Sequence, residues 1–83
     1  MDKKTLLVFS LENRRDAAGH VQKILTDFGC IIKTRLGIHD GVLDKCSNTG
    51  LIILELVGAK ARIGDLERQL KAVKSVRVKL ITL

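Results

Sequence analysis

The stretch Leu51-Ile52-Ile53-Leu54-Glu55-Leu56-Val57 is the strongest strand signal in the chain. It is an apolar run of strand length, and Gly58 ends it. From Ala59 to Val73 the period changes: Ile63, Leu66, Leu70 and Val73 fall on one stripe at helical spacing. The opposite face of that helix carries Lys60, Arg62, Arg68, Lys71 and Lys74, offset by Asp65 and Glu67. Ser75 then leads into Val76-Arg77-Val78-Lys79-Leu80-Ile81, an alternating strand whose inward side is Val76, Val78 and Leu80. Upstream of Leu51, the polar stretch from His39 to Gly50 holds glycine, Asn and Asp residues and reads as a long hairpin connection. Before it, Cys30 to Ile38 is β-rich. Strict alternation there places Ile32, Thr34, Leu36 and Ile38 on one face and Ile31, Lys33 and Arg35 on the other. Further back, Asn13 is a good N-cap for a helix from Arg14 to Phe28, with Ala17, Val21, Ile24, Leu25 and Phe28 as its apolar stripe. Gly29 follows where a C′ residue takes positive φ. Leu6-Leu7-Val8-Phe9-Ser10-Leu11 is the first strand.

The order is β-α-β-β-α-β, two β-α-β units over residues 5–38 and 51–81 joined by a hairpin. Right-handed crossovers make this an α+β, ferredoxin-like sandwich: four antiparallel strands with both helices on one face of the sheet. A single such domain spans residues 1–83. The second sheet face is expected to show Leu6, Val8, Ile31, Ile53 and Ile81 beside Lys33, Arg35, Arg77 and Glu55. That face is too apolar to be left to solvent, and a homo-oligomer, dimer or tetramer, that covers it is the natural expectation.

Composition narrows the function classes. Hydrophobic residues are 46% and charged residues 29% of the 83, the balance of a globular chain. A chain of this size buries only about two-thirds of the surface it exposes when unfolded, so self-association helps it. No stretch approaches the roughly 20 apolar residues of a membrane span, and no signal peptide is legible, so a cytoplasmic protein is expected. Two cysteines, Cys30 and Cys46, without a C-x-x-C pair fit reduced thiols. The formal net charge is +6, yet the chain has no Trp, no Tyr and two Phe. Charge without aromatic stacking platforms supports weak, salt-dependent attraction to phosphates rather than recognition of single strands.

The chemistries that use this fold each need residues that can be looked for. A copper carrier places soft thiolates after the first strand, and an acylphosphatase places a Gly-rich anion cradle there. The segment Leu11-Glu12-Asn13-Arg14-Arg15-Asp16 has neither. Cys46 and His39 share one loop, but a reactive thiolate also needs an orienting third group. Asp40 and Asp44 are loop acids four apart, a common spacing. A non-enzymatic protein is therefore expected. A metal- or redox-responsive sensor using His39 and Cys46 is the alternative, with Asp40, Asp44, His20 and Cys30 as further donors, although the spacing is not that of a structural zinc site. A basic nucleic-acid-associated module using Lys60, Arg62, Arg68, Lys71 and Lys74 is a second alternative.

Four segments carry a family likeness: Arg35-x-Gly37, the strand Gly50 to Val57, Ile63-Gly64-x-Leu66-x-x-x-Leu70, and Val76-Arg77-Val78-Lys79. Together they resemble the iron-only hydrogenase system regulators, small ACT-like proteins similar to the C-terminal ligand-binding domain of nickel-responsive repressors. The likeness covers nearly the whole chain. It implies a regulatory module that assembles through its sheets and helices and senses a small ligand, not a catalyst. Family members often carry glycines late in the second helix and before the last strand, where this chain has Glu67, Lys71 and Ser75. The nickel-holding histidines and cysteine of the repressor domain are not matched, and no helix-turn-helix reader of DNA is legible, so direct contact with nucleic acid is not expected. The ligand-binding candidates are Arg35, Gly37, His39 and Asp40: Arg35 as a bidentate partner for a carboxylate, Gly37 as a bulge or point of close backbone approach, and His39 and Asp40 beside them for a small-molecule or metal effector. No cofactor is named by these residues.

Overall fold

The computed structural model describes residues 4–11, 14–39 and 50–83, with side chains except at 14–16 and 39. Its elements run β1 (Thr5–Leu11), α1 (Arg14–Asp27), a single 3-10 turn (Gly29–Ile31), β2 (Ile32–His39), β3 (Gly50–Leu56), α2 (Lys60–Lys71) and β4 (Val76–Thr82). The four strands form one antiparallel sheet in the order β2-β3-β1-β4. This is the expected ferredoxin-like βαββαβ fold, with β2 and β4 as its edges. The Asn13 cap and most of the long hairpin, including Asp40 and Cys46, lie outside the described residues.

The core is the layer between sheet and helices. Leu7, Phe9 and Leu11 enter it from β1, and Leu54 and Leu56 from β3. Ala17, Val21, Ile24 and Leu25 enter from α1, with Phe28 just past its end. Ile63, Leu66 and Leu70 enter from α2, with Val73 beyond. Every residue expected on the two helical stripes is buried. Val76, Val78 and Leu80 of β4 pack against the same cluster, as their alternation predicts. Register explains the layer: Leu7 pairs with Leu54 on one side and Leu80 on the other, so three strands present their aliphatic side chains together.

Two details of the middle of the chain differ from the simple alternation. The β2–β3 register shifts between Ile32 and Thr34, where Lys33 is an extra residue. Ile32 therefore packs against the core, whereas Thr34, Leu36 and Ile38 point to the other face, opposite Glu55, Ile53 and Leu51. Arg35 and Gly37 pair with Leu54 and Ile52 and turn toward α1. The expectation of Leu36 and Ile38 inside and Arg35 outside is corrected by this one-residue bulge. Ile31 is corrected too: it closes the 3-10 turn and is buried in the core rather than on the open sheet face. Gly29 opens that turn and is not in the left-handed region; the amide of Ile31 donates to the Phe28 carbonyl at 3.1 Å, so the chain tightens instead of reversing hand.

The left-handed region is used at both ends of α2. Gly58 has φ +102°, and a Cβ there would meet Ile31 Cγ2 at 3.2 Å, so both conformation and space select glycine. Ser75 has φ +74° at the exit toward β4, the position where the resembling family often has glycine.

Candidate functional site

The covered face of the sheet is filled by large apolar side chains except at its β2 corner. There the inward positions are Arg35 and Gly37, opposite the small Ala18 of α1 and beside Gly50 of β3. The missing side-chain volume leaves a cavity of about 190 Å³. Its floor and walls are Leu11, Val21 and Ile52, and its mouth is framed by Arg35 and Gln22. A Cβ added at Gly37 would touch nothing within 4 Å, and its backbone is ordinary strand, so the glycine neither makes a turn nor permits close packing. The bulge expected near Gly37 is at Lys33 instead. What Gly37 contributes is empty space over the sheet.

The Arg35 guanidinium donates to Oε1 of Gln22 at 2.8 Å. Among the described residues no carboxylate lies within ion-pair distance of Arg35. The contact orients the side chain without neutralising it: a neutral amide takes one donor of the fork, and the others remain to meet an anion. Gln22 carries no signal of its own in the sequence. It is thirteen positions from Arg35 and lies on the flank of the α1 stripe, so only the packing of α1 over β2 reveals its role.

Of the other candidate ligand-binding residues, His39 ends β2 in register with Gly50, which places its backbone at the same end of the sheet as the cavity. Asp40 and Cys46 lie outside the described residues, and the His39/Cys46 pairing therefore does too. Among the described residues no group of three His, Cys, Asp or Glu side chains is arranged to hold a metal, and Cys30 is an exposed free thiol.

The basic face of α2 is partly compensated. Arg68 pairs with Asp65, and Lys71 Nζ lies 3.1 Å from Glu67 in the favourable i,i+4 order. Arg62 stacks over the Phe28 ring, 4.2 Å from its centroid, which joins α2 to the end of α1. Lys60 and Lys74 are exposed and make no ion pair among the described residues. A second cavity, about 570 Å³, lies at the Lys60 end of the molecule between Thr5, Gly58, Ile63, Leu80 and Thr82. It offers hydroxyls and one flexible ammonium, a less directed set of donors than the Arg35 fork.

Among the described residues no helix covers the other sheet face. Leu6 and Val8 of β1, Leu51 and Ile53 of β3, Leu36 and Ile38 of β2 and Ile81 of β4 share it. Leu36 is 53% exposed and Ile38 42%. Glu55 is held there by Lys4 at 3.2 Å and Lys33 at 4.0 Å. The expectation of an apolar second face is met by Leu6, Val8, Ile53 and Ile81, with Leu36 and Ile38 taking the place of Ile31.

No family model and no curated protein matches the chain. Among solved structures, uncharacterized protein TM1266 from Thermotoga maritima is 30% identical over 99% of each chain, with a TM-score of 0.82. The chain belongs to the TM1266 family. More distant likenesses show the fold that this family shares. CPII from Thiomonas intermedia K12, a nitrogen regulatory PII-like protein bound to ADP, AMP and bicarbonate, has a TM-score of 0.61 at 16% identity, covering 99% of this chain and 93% of that one. A PII-like signaling protein from Thermus thermophilus has a TM-score of 0.66 at 9% identity, covering 100% of this chain and 91% of that one. The TM1266 family thus has the ferredoxin-like architecture found in PII-like proteins. Among the described residues no helix is long and apolar enough to cross a membrane.

Proposed function

We propose that this chain is a small, non-enzymatic regulatory module of the cytoplasm that binds a small ligand and acts as a homo-oligomer, a dimer or tetramer. The observation that carries the reading is the contrast within one sheet: helices close one face, while aliphatic side chains from all four strands lie on the other with no described element over them. A second copy is the occupant that suits this face. A domain of 83 residues has little core of its own, and joining two such faces adds a second apolar layer. The Arg35 cavity supports the ligand-binding part, because it holds an oriented charge, without a carboxylate partner among the described residues, above an apolar floor.

The regulatory part draws support from the shared fold. CPII is described as a nitrogen regulatory protein bound to small molecules, so a ligand-responsive regulator is built on this architecture elsewhere. The place of this module in an iron-only hydrogenase system rests on the sequence resemblance through Arg35-x-Gly37 and the Ile63-Gly64-x-Leu66 helix start. Sedimentation velocity at tens of micromolar tests the assembly: a dimer or tetramer is expected, and a monomer overturns it. Deletion of the protein in cells that make it should change iron-only hydrogenase activity or expression, and an unchanged hydrogenase removes that link.

A further inference from the structure

We propose that the cavity between α1 and β2 binds a small monocarboxylate with a short aliphatic tail and no amino group, the carboxylate on Arg35 and Gln22 and the tail over Leu11, Val21 and Ile52. The inference rests on the ligand-binding reading above and gives that ligand its chemistry.

Charge sets the head group. Arg35 is the only cationic side chain lining the cavity among the described residues, and one of its donors is taken by Gln22. A planar fork with one positive charge matches a carboxylate in bidentate geometry, whereas a phosphate dianion calls for more than one cation. Gln22 accepts from Arg35 through Oε1, so its amide NH₂ is left as a second, neutral donor at the cavity mouth. No acidic side chain lines the cavity among the described residues, so none of them would pair an α-ammonium held there. An amino acid is therefore disfavoured relative to the corresponding simple acid.

Volume and lining set the tail. About 190 Å³ lies below the roughly 300–1,000 Å³ of pockets that take drug-sized ligands and cofactors. That volume is too small to enclose a nucleotide, although CPII is bound to ADP and AMP. The walls away from Arg35 and Gln22 are aliphatic or glycine, which suits a branched chain of a few carbons. Gly37 is the determinant of that room, because nothing else occupies the place of its absent side chain.

The test is an amide NMR titration of the intact protein with 3-methylbutanoate, with leucine, 3-methylbutanol and inorganic phosphate run in parallel. Saturable shifts at Gln22, Arg35, Gly37 and Ile52 are expected with 3-methylbutanoate. Leucine, the alcohol and phosphate should each bind at least about tenfold more weakly, the scale of one lost charged hydrogen bond. Arg35→Gln should abolish the shifts by removing the charge. Gly37→Val should abolish them by filling the cavity, and its side chain enters open space in a strand, so this variant folds. Lys79→Gln, on the open sheet face, should leave the affinity unchanged. Shifts that survive Gly37→Val, or equal affinity for leucine or phosphate, overturn the proposal. Binding of the acid only at the Lys60 end overturns it while leaving the regulatory-module reading intact. A monomer that binds 3-methylbutanoate at Arg35 upholds the proposal and sinks the oligomeric part of that reading.

Discussion

The two faces of the sheet are made of the same kinds of residue and live in different conditions. On the covered face Leu7 and Leu54 are completely buried between sheet and helices. On the open face Val8 and Ile53, their neighbours in sequence and partners in register, remain half-buried, and Leu36 and Ile38 are exposed. Aliphatic content alone therefore does not define a core; a second layer does. What differs between the faces is the property each should be sensitive to: volume on the covered side, polarity on the open one.

The largest expected effect tests the covered side. Leu54→Ala removes a fully buried side chain and should cost about 3–4 kcal/mol in urea unfolding, within the usual range for such truncations. A loss below about 1 kcal/mol would mean that the layer is looser than its burial implies. Next is Gly58→Ala, which forces a left-handed Ala against Ile31 and so presses on the same layer through the backbone; a loss of about 2 kcal/mol is expected by the same measurement. Leu36→Asp tests the open side. On the single-chain fold it should cost less than about 1 kcal/mol, as an exposed substitution does, while shifting the sedimenting species toward monomer. A large concentration-independent loss would make Leu36 part of the core and dissolve the contrast between the faces.

Ser75→Gly is the smallest effect and serves as a control. Relief of the left-handed serine, less the extra freedom glycine gives the unfolded chain, should raise stability by about 0.5–1 kcal/mol. Because it changes backbone conformation at the exit of α2, the gain should not depend on protein concentration. A gain that grows with concentration would place this turn in the assembly.

Most of the fold is legible in the sequence because it is periodic. The stripes of both helices and the alternation of β4 recur at fixed intervals, and burial follows them. Gly58 is legible as a break, and its positive φ supplies the reason. The site is legible in part. Arg35 and Gly37 stand out as a motif, and the structure brings them to one cavity, but on the face opposite to that assigned by alternation. The bulge responsible has no Gly or Pro to announce it; the extra residue is a lysine. Gln22 is illegible because its contact with Arg35 depends on how α1 lies across β2, and Ile31 because its burial follows from a 3-10 turn outside either period.

Lys33 behaves as a frameshift in the side-chain code of β2. Before it the strand spells core with Ile32; after it, the same period spells a charged cavity on one side and an aliphatic surface on the other. With Lys33 given an ordinary place in the ladder instead, alternation from Ile32 would send Leu36 and Ile38 inward and Arg35 and Gly37 outward. The one bulge thus turns the aliphatic side chains to the open face and the arginine to the cavity together, and flattening it with Lys33 kept in the ladder would lose both.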